Sequence, residues 1–373
     1  MTINEQFFDL IRVALGRAVC LSHSPTASEW GELYAMAKKQ SLVGVCFAGV
    51  QKLVGQQQEP PEMLYLTWMG MAAKIQQCNE IVNRQCVELQ AKLSDDGMRS
   101  AILKGQGVGQ LYGSLAGLRQ SGDIDVWVPG GAQALMAYAR AKYGEVSYDY
   151  INAHLPVYQD TEVELHWRVQ SMNNLLKNNR LQKWLKEHEE DVLGGKAVMA
   201  NGESLTVPTS AFNRFYILLH AFNHVMSSGL GLRQLMDYYF VLKVFSSSCD
   251  ATERVRADAE LVKLFRSFGM MRFARSVMWL LAHVFEDMSS DKSWAFCEPL
   301  ESEGRFLLNE VMAGGNFGHH DERIKNTGLK GVWGEKSTQL QHVFLVARHY
   351  PSEIFWTPVW IIYHKLWKWL GRH

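Results

Sequence analysis

Long apolar runs are missing from this 373-residue chain, and no uninterrupted stretch approaches the roughly 20 residues that a membrane-crossing helix needs. The start, Met-Thr-Ile-Asn-Glu-Gln, also lacks a basic segment followed by an apolar one, so no signal peptide is expected. Charge of one sign is missing too. Lysine plus arginine and aspartate plus glutamate each number 38, so no global basic field holds nucleic acid, and an anionic substrate needs a local site. The six cysteines (Cys20, Cys46, Cys78, Cys86, Cys249, Cys297) form no C-x-x-C pair and no metal-ligand spacing. They read as buried thiols of a reducing compartment, which predicts a cytoplasmic protein. Internal repeats and low-complexity tracts are absent. What is present is 47% hydrophobic and 20% charged residues, enough for a sizeable core over a length that allows two or three domains.

Residues 1–97 read as helical. Phe7, Phe8, Ile11, Val13 and Leu15 form an apolar stripe, and Thr26 or Ser28 can cap a helix carrying Trp30, Leu33, Tyr34 and Met36. Pro60-Pro61 opens a longer helix through Trp68, Ile75, Ile81, Val82, Cys86 and Leu89. No titratable cluster with catalytic spacing occurs there, so the stripe is core.

At Ser100-Ala-Ile-Leu103 the period changes to a short strand. Lys104-Gly105-Gln106-Gly107 follows, then a short helix through Val108, Leu111 and Tyr112. A strand that turns at glycine into a helix presents backbone N–H groups, a geometry that favours phosphate; an ordinary turn is the plainer alternative. Next comes Arg119-Gln-Ser-Gly-Asp123-Ile-Asp125-Val-Trp-Val128. Strand side chains alternate, so Asp123 and Asp125 share one face. Two carboxylates that close repel each other unless a cation sits between them, and Mg²⁺ suits carboxylate and phosphate oxygens. Two acids capping an exposed strand end is the alternative. Pro129-Gly130-Gly131 ends the strand, and a helix is expected over 132–142.

Two further strands are expected over 146–150 and 154–158, then a hairpin turn at Asp160-Thr161. The run 162–169 alternates strictly, with Glu162, Glu164, His166 and Arg168 on one face and Val163, Leu165, Trp167 and Val169 on the other. Glu164, in mid-strand, can add a third carboxylate to the Asp123/Asp125 cluster, whereas Glu162 and Arg168 read as a solvated face. Helices are expected over 173–188, 209–227, 230–246, 252–266 and 268–286. His220 and His224, four apart, have zinc-ligand spacing, but Ala221 follows His220 and no third ligand is near, so partly buried histidines are the default. Arg233 and Asp237 have pairing spacing. The stretch 287–330 is read as a loop or insertion. The aromatic tail, Phe355 to Trp369, is a possible membrane-surface or partner contact, with packing back on the helical domain favoured.

The series strand–Lys104-Gly105–helix, Arg119-x3-Asp123-Ile-Asp125-Val-Trp-Val and Val163-Glu164-Leu165-His166-Trp167 resembles the uncharacterised nucleotidyltransferase family within the polymerase-β-like nucleotidyltransferase superfamily. His220-x3-His224, Gly231-Leu-Arg233 and Asp237 are similar to that family's helical half, and Tyr350-Pro-Ser-Glu-Ile-Phe-Trp-Thr-Pro looks like its C-terminal extension. The resemblance implies an α+β fold: a small mixed-sheet core over 98–172, between an N-terminal helical region (1–97) and a C-terminal helical domain with the aromatic tail (173–373). It implies two Mg²⁺ ions held by Asp123, Asp125 and Glu164. The implied reaction moves a nucleoside monophosphate from a nucleoside triphosphate, such as ATP, to an acceptor hydroxyl on a protein, RNA or small molecule, with release of pyrophosphate. Lys104, Gly105 and Arg119 would bind the triphosphate, Arg119 through its bidentate fork. The superfamily usually carries Gly-Ser or Gly-Gly at the first helix, closer to the acids than Gly105, which lies 18 positions before Asp123. Gly113-Ser114 offers a competing register. Gly105 is preferred because an apolar strand precedes it and a helix follows. A nucleotide-binding regulator or scaffold with the same fold and no turnover is the competing function.

Overall fold

The computed structural model describes residues 1–286, 292–318, 321, 323 and 332–370. The fold is α+β: mostly helical, with a four-stranded mixed sheet and a separate two-stranded one. The chain forms two compact units, one from Met1–Glu80, Leu111–Gln120 and Gly229–Glu322, the other from Ile81–Gln110, Ser121–Ser228 and Arg323–His373.

The first unit is helical. Thr2 and Thr26 each build a capping box, with Glu5 and Glu29 reaching back to the cap, so the helices Ile3–Ala14 and Ala27–Lys39 start where their sequences place a cap. Phe7, Phe8, Leu10 and Ile11 are fully buried. Gly49 of the helix Val43–Leu53 lets the first helix come close, since a Cβ there would lie 2.7 Å from the Leu10 carbonyl oxygen. The helix Glu301–Gly314 falls inside the stretch expected to be a loop or insertion; its apolar positions, including Leu307 and Val311, are buried. Residues 287–291, 319–320, 322 and 324–330 of that stretch lie outside the described residues.

The second unit holds the sheet. Its strands are β1 (Ala101–Ile102), β2 (Ile124–Trp127), β3 (Asn152–Leu155) and β4 (Val163–His166), in the order β1-β2-β4-β3. β2 and β4 are parallel; the other two pairs are antiparallel. One face carries Ile124, Val126, Ala153, Leu155, Val163 and Leu165, all in the core. The run expected as a strand over 146–150 makes one isolated bridge, Tyr148 to Ala153. β3 starts two residues earlier than expected and stops before Pro156, which has no N–H to give a ladder. A hairpin of β5 (Gly195–Val198) and β6 (Ser204–Val207) had no strong alternation to announce it.

The aromatic helix Pro351–Trp369 packs against the sheet unit, where Trp360 and Trp367 join its core. Their rings meet Tyr150 edge-on, at 4.9 and 5.2 Å between centroids. Among the described residues no helix is long and apolar enough to cross a membrane.

Candidate active site

The polar face of the sheet gathers the chemistry-bearing residues. Strand alternation turns Asp125 to the side opposite Ile124 and Val126, and Glu164 opposite Val163 and Leu165. The parallel register then sets Asp125 beside Glu164 and Trp127 beside His166. On the other side of β4, His154 of β3 is the register partner of Glu164 and Asn152 that of His166.

Two carboxylates on neighbouring strands need a cation, and the chain supplies two. His166 Nε2 lies 2.9 Å from Asp125 Oδ1 and 3.1 Å from Glu164 Oε2, so one N–H is shared between both acids. Lys104, just past β1, brings Nζ to 2.9 Å from Asp125 Oδ1 and 4.0 Å from Asp123 Oδ2. It is held there because Leu103 N–H bonds the Asp125 carbonyl in the β1–β2 ladder. Asn152 Nδ2 donates to Glu164 Oε2 at 2.5 Å.

The electrostatics follow from these contacts. Burial alone would strip the proton from His166, but its bonds to Asp125 and Glu164 outweigh that and raise its pKa to about 9. Burial would raise Glu164, yet the bond to His166 and the charges of His166 and Lys104 hold it down to about 2. Burial likewise opposes the charge of Lys104, and Asp125 and Asp123 more than offset it, leaving the ammonium firmly protonated. Tyr216, on the helix Ser210–Val225, is pushed up by burial despite the field of Lys104.

Asp125 is 1% exposed, and its Oδ2 is buried with no hydrogen-bond partner. A buried carboxylate oxygen without a donor is costly, and a divalent cation would satisfy it. The ligand atoms of Asp125, Glu164 and His166 lie within 4.8 Å of one another. Asp123 stands just before β2 with a half-exposed side chain, joined to this group through Lys104. The donor set that comes together, Asp125, Glu164 and His166, is one that could hold a divalent ion, with oxygens from Asp125 and Glu164; Asp123 is not among the ligand atoms that meet there.

Gly105 adopts φ +56° and ψ −112°, a conformation only glycine takes readily, and it starts the four-residue helix Gln106–Gly109. A Cβ there would sit 3.4 Å from the Asp123 carbonyl oxygen. Gly113 and Ser114 belong to the helical unit. So does Arg119, whose guanidinium is 4% exposed and grips Asp237 with two bonds, Nε–Oδ1 at 2.6 Å and Nη2–Oδ2 at 2.8 Å. Tyr112 donates to the same carboxylate at 2.7 Å. Arg233, expected from spacing to pair with Asp237, donates to the Gln120 carbonyl oxygen at 2.9 Å. His220 and His224 bond each other, Nε2 to Nε2, at 2.9 Å, with Gln170 and Ser228 on the outer nitrogens.

Sequence reasoning had not singled out His166, Asn152 or His154 as site residues. His166 was legible, since it follows Glu164 by two in an alternating strand. Asn152 and His154 reach the site only through the β3–β4 register, which no local pattern declares.

No curated protein and no solved structure matches the chain. A family model described as an uncharacterised nucleotidyltransferase matches residues 26–285 and so spans the sheet, the acids, Lys104 and Arg119. The chain belongs to this uncharacterised nucleotidyltransferase family, whose chemistry is the transfer of a nucleotidyl group.

Proposed function

We propose that the chain is a Mg²⁺-dependent enzyme that moves a nucleoside monophosphate from a nucleoside triphosphate to an acceptor hydroxyl on a protein, RNA or small molecule and releases pyrophosphate. The catalytic residues are Asp123, Asp125 and Glu164. The observation that carries this reading is the in-register pair of Asp125 and Glu164 on parallel strands, with one buried Asp125 oxygen left without a donor. The same three side chains would hold the metal, two ions by the family resemblance, and bound there Mg²⁺ supplies neutralisation of phosphate charge and of the attacking oxygen. Transfer of this kind is mostly positioning and charge neutralisation, which a rigid strand pair suits.

Lys104 is the cation assigned to the triphosphate, being 2.9 Å from Asp125 and fully charged. Gly105 lets the backbone turn beside Asp123. The fork of Arg119 is taken up by Asp237, so we give it a structural role within the helical unit. Glu164, held down to about 2, stays ionised and is a weak proton acceptor, which favours cation binding over general-base work for this residue. Six free thiols fit the reducing cytoplasm in which we place the enzyme.

The test is an acceptor screen with α-labelled nucleoside triphosphates and Mg²⁺, following label transfer and pyrophosphate. Transfer that is lost in Asp125→Asn, with the circular dichroism spectrum retained, supports the reading. Tight nucleotide binding with no pyrophosphate from any acceptor class would instead make the chain a nucleotide-binding regulator.

A further inference from the structure

Beyond Asp125, the polar face continues across β4 to β3. His154, the register partner of Glu164, places Nδ1 at 2.7 Å from Glu162 Oε1 and 3.9 Å from Glu164 Oε1. The two oxygens of Glu164 are thus divided: Oε2 takes His166 and Asn152, while Oε1 turns toward His154 across a gap too long for a hydrogen bond. Ligand atoms of His154, Glu162 and Glu164 lie within 4.8 Å of one another.

Charge on this face is not balanced. The four carboxylates of Asp123, Asp125, Glu162 and Glu164 outnumber the two cations among them, Lys104 and the imidazolium of His166, with His154 as the third nitrogen group on this face. His154 and Glu162 also line an open cavity of about 470 Å³, with Tyr158, Asp160 and Thr161. An ion at this corner would have a way in and room for further ligands.

We propose that His154, Glu162 and Glu164 form an auxiliary site for a divalent transition ion of the zinc class, with Glu164 shared between this ion and the Asp125 cluster. One imidazole and two carboxylates are a donor set that zinc-class ions take readily and that Mg²⁺, preferring oxygen alone, takes poorly. A carboxylate whose oxygens face opposite ways is suited to bridge two cations. The site rests on the proposed cation role of Glu164 only through that one shared side chain.

The experiment is Zn²⁺ titration by calorimetry on the full chain and on His154→Gln, Glu162→Gln and Asp125→Asn, with Co²⁺ as a visible-absorption reporter and excess Mg²⁺ present throughout. His154→Gln and Glu162→Gln each bind one Zn²⁺ fewer than the unaltered chain. Asp125→Asn keeps that ion, and its Co²⁺ bands disappear when His154→Gln is added. Positions 154 and 162 are partly or largely exposed, so His154→Gln and Glu162→Gln keep the native circular dichroism spectrum. If His154→Gln leaves stoichiometry and Co²⁺ bands unchanged, His154 and Glu162 are an exposed ion pair and the site is refuted. Absence of nucleotidyl transfer by the unaltered chain would overturn the Mg²⁺ reading without touching this one.

Discussion

Asp125 and Glu164, contributed by strands far apart in sequence, hang on the same nitrogen: His166 Nε2 bonds both, at 2.9 and 3.1 Å. The imidazolium and Lys104 keep Glu164 ionised and the two acids adjacent without a metal, which preorganises the cluster for one. His166→Gln removes a charge that both acids face. Breaking a buried ion pair by removing one partner typically costs about 3–5 kcal/mol, so urea unfolding of the metal-free variant is expected to show a loss of that order. Added Mg²⁺ should restore part of the loss by binding only the folded state. An unchanged urea midpoint would show that His166 does not hold the acids together.

The same contacts set a pH dependence for the metal-free protein. The folded pKa of His166, about 9, lies above its ordinary value of 6.5, so its contribution is complete below pH 6.5 and is lost as the pH rises toward 9. Glu164 runs the other way: folded near 2 against 4.5 ordinarily, it contributes fully above pH 4.5 and fades as the pH falls toward 2. Between 4.5 and 6.5 both are in force. Urea midpoints measured from pH 4 to 9 should decline on the alkaline side, and His166→Gln should flatten that decline. An equal alkaline decline in the variant would assign it to another group.

The Arg119–Asp237 fork is buried and satisfied on both sides, with Tyr112 as a third member. Asp237→Ala strands a buried guanidinium and is expected to destabilise by about 3–5 kcal/mol. Tyr112→Phe, which removes one hydrogen bond to a charged group, should cost about 1.5–3 kcal/mol. A double-mutant cycle between positions 112 and 237 should show coupling, since both act on one carboxylate. Additive losses would mean that the phenol and the carboxylate do not share their energy.

What could be read in the sequence was local. The Asp123/Asp125 face and the Glu164 face follow from alternation within single strands, and the capping threonines announce their helices. The meeting of Asp125 with Glu164 depends on a parallel register, which side-chain period alone does not give. Arg119 shows the limit most clearly. The family resemblance makes it a triphosphate ligand, and the carboxylate it grips lies 118 residues away. β3 misled by its ends: Asn152 carries no strand signal, and Pro156 sits where the expected strand would have continued. The β5–β6 hairpin escaped because Gly195-Lys-Ala-Val198 has too few residues to show a period.

The aromatic tail is part of the sheet unit's core, and that gives it a measurable role. Trp360 and Trp367 are 7% and 6% exposed, and both rings meet Tyr150, whose carbonyl accepts the Trp167 indole N–H at 2.8 Å just beyond β4. Trp360→Ala or Trp367→Ala opens a cavity beside that contact, and large-to-small changes of this kind cost about 3–5 kcal/mol. For a chain of this size each kcal/mol is worth about 2–4 °C or less, so either variant should melt several degrees lower in a thermal scan. Because the cavity lies on the apolar side of the sheet, metal binding at the Asp125 cluster should survive wherever the variant remains folded. A tail variant with an unchanged melting temperature and lost association with vesicles or a partner would instead make the tail an external docking element.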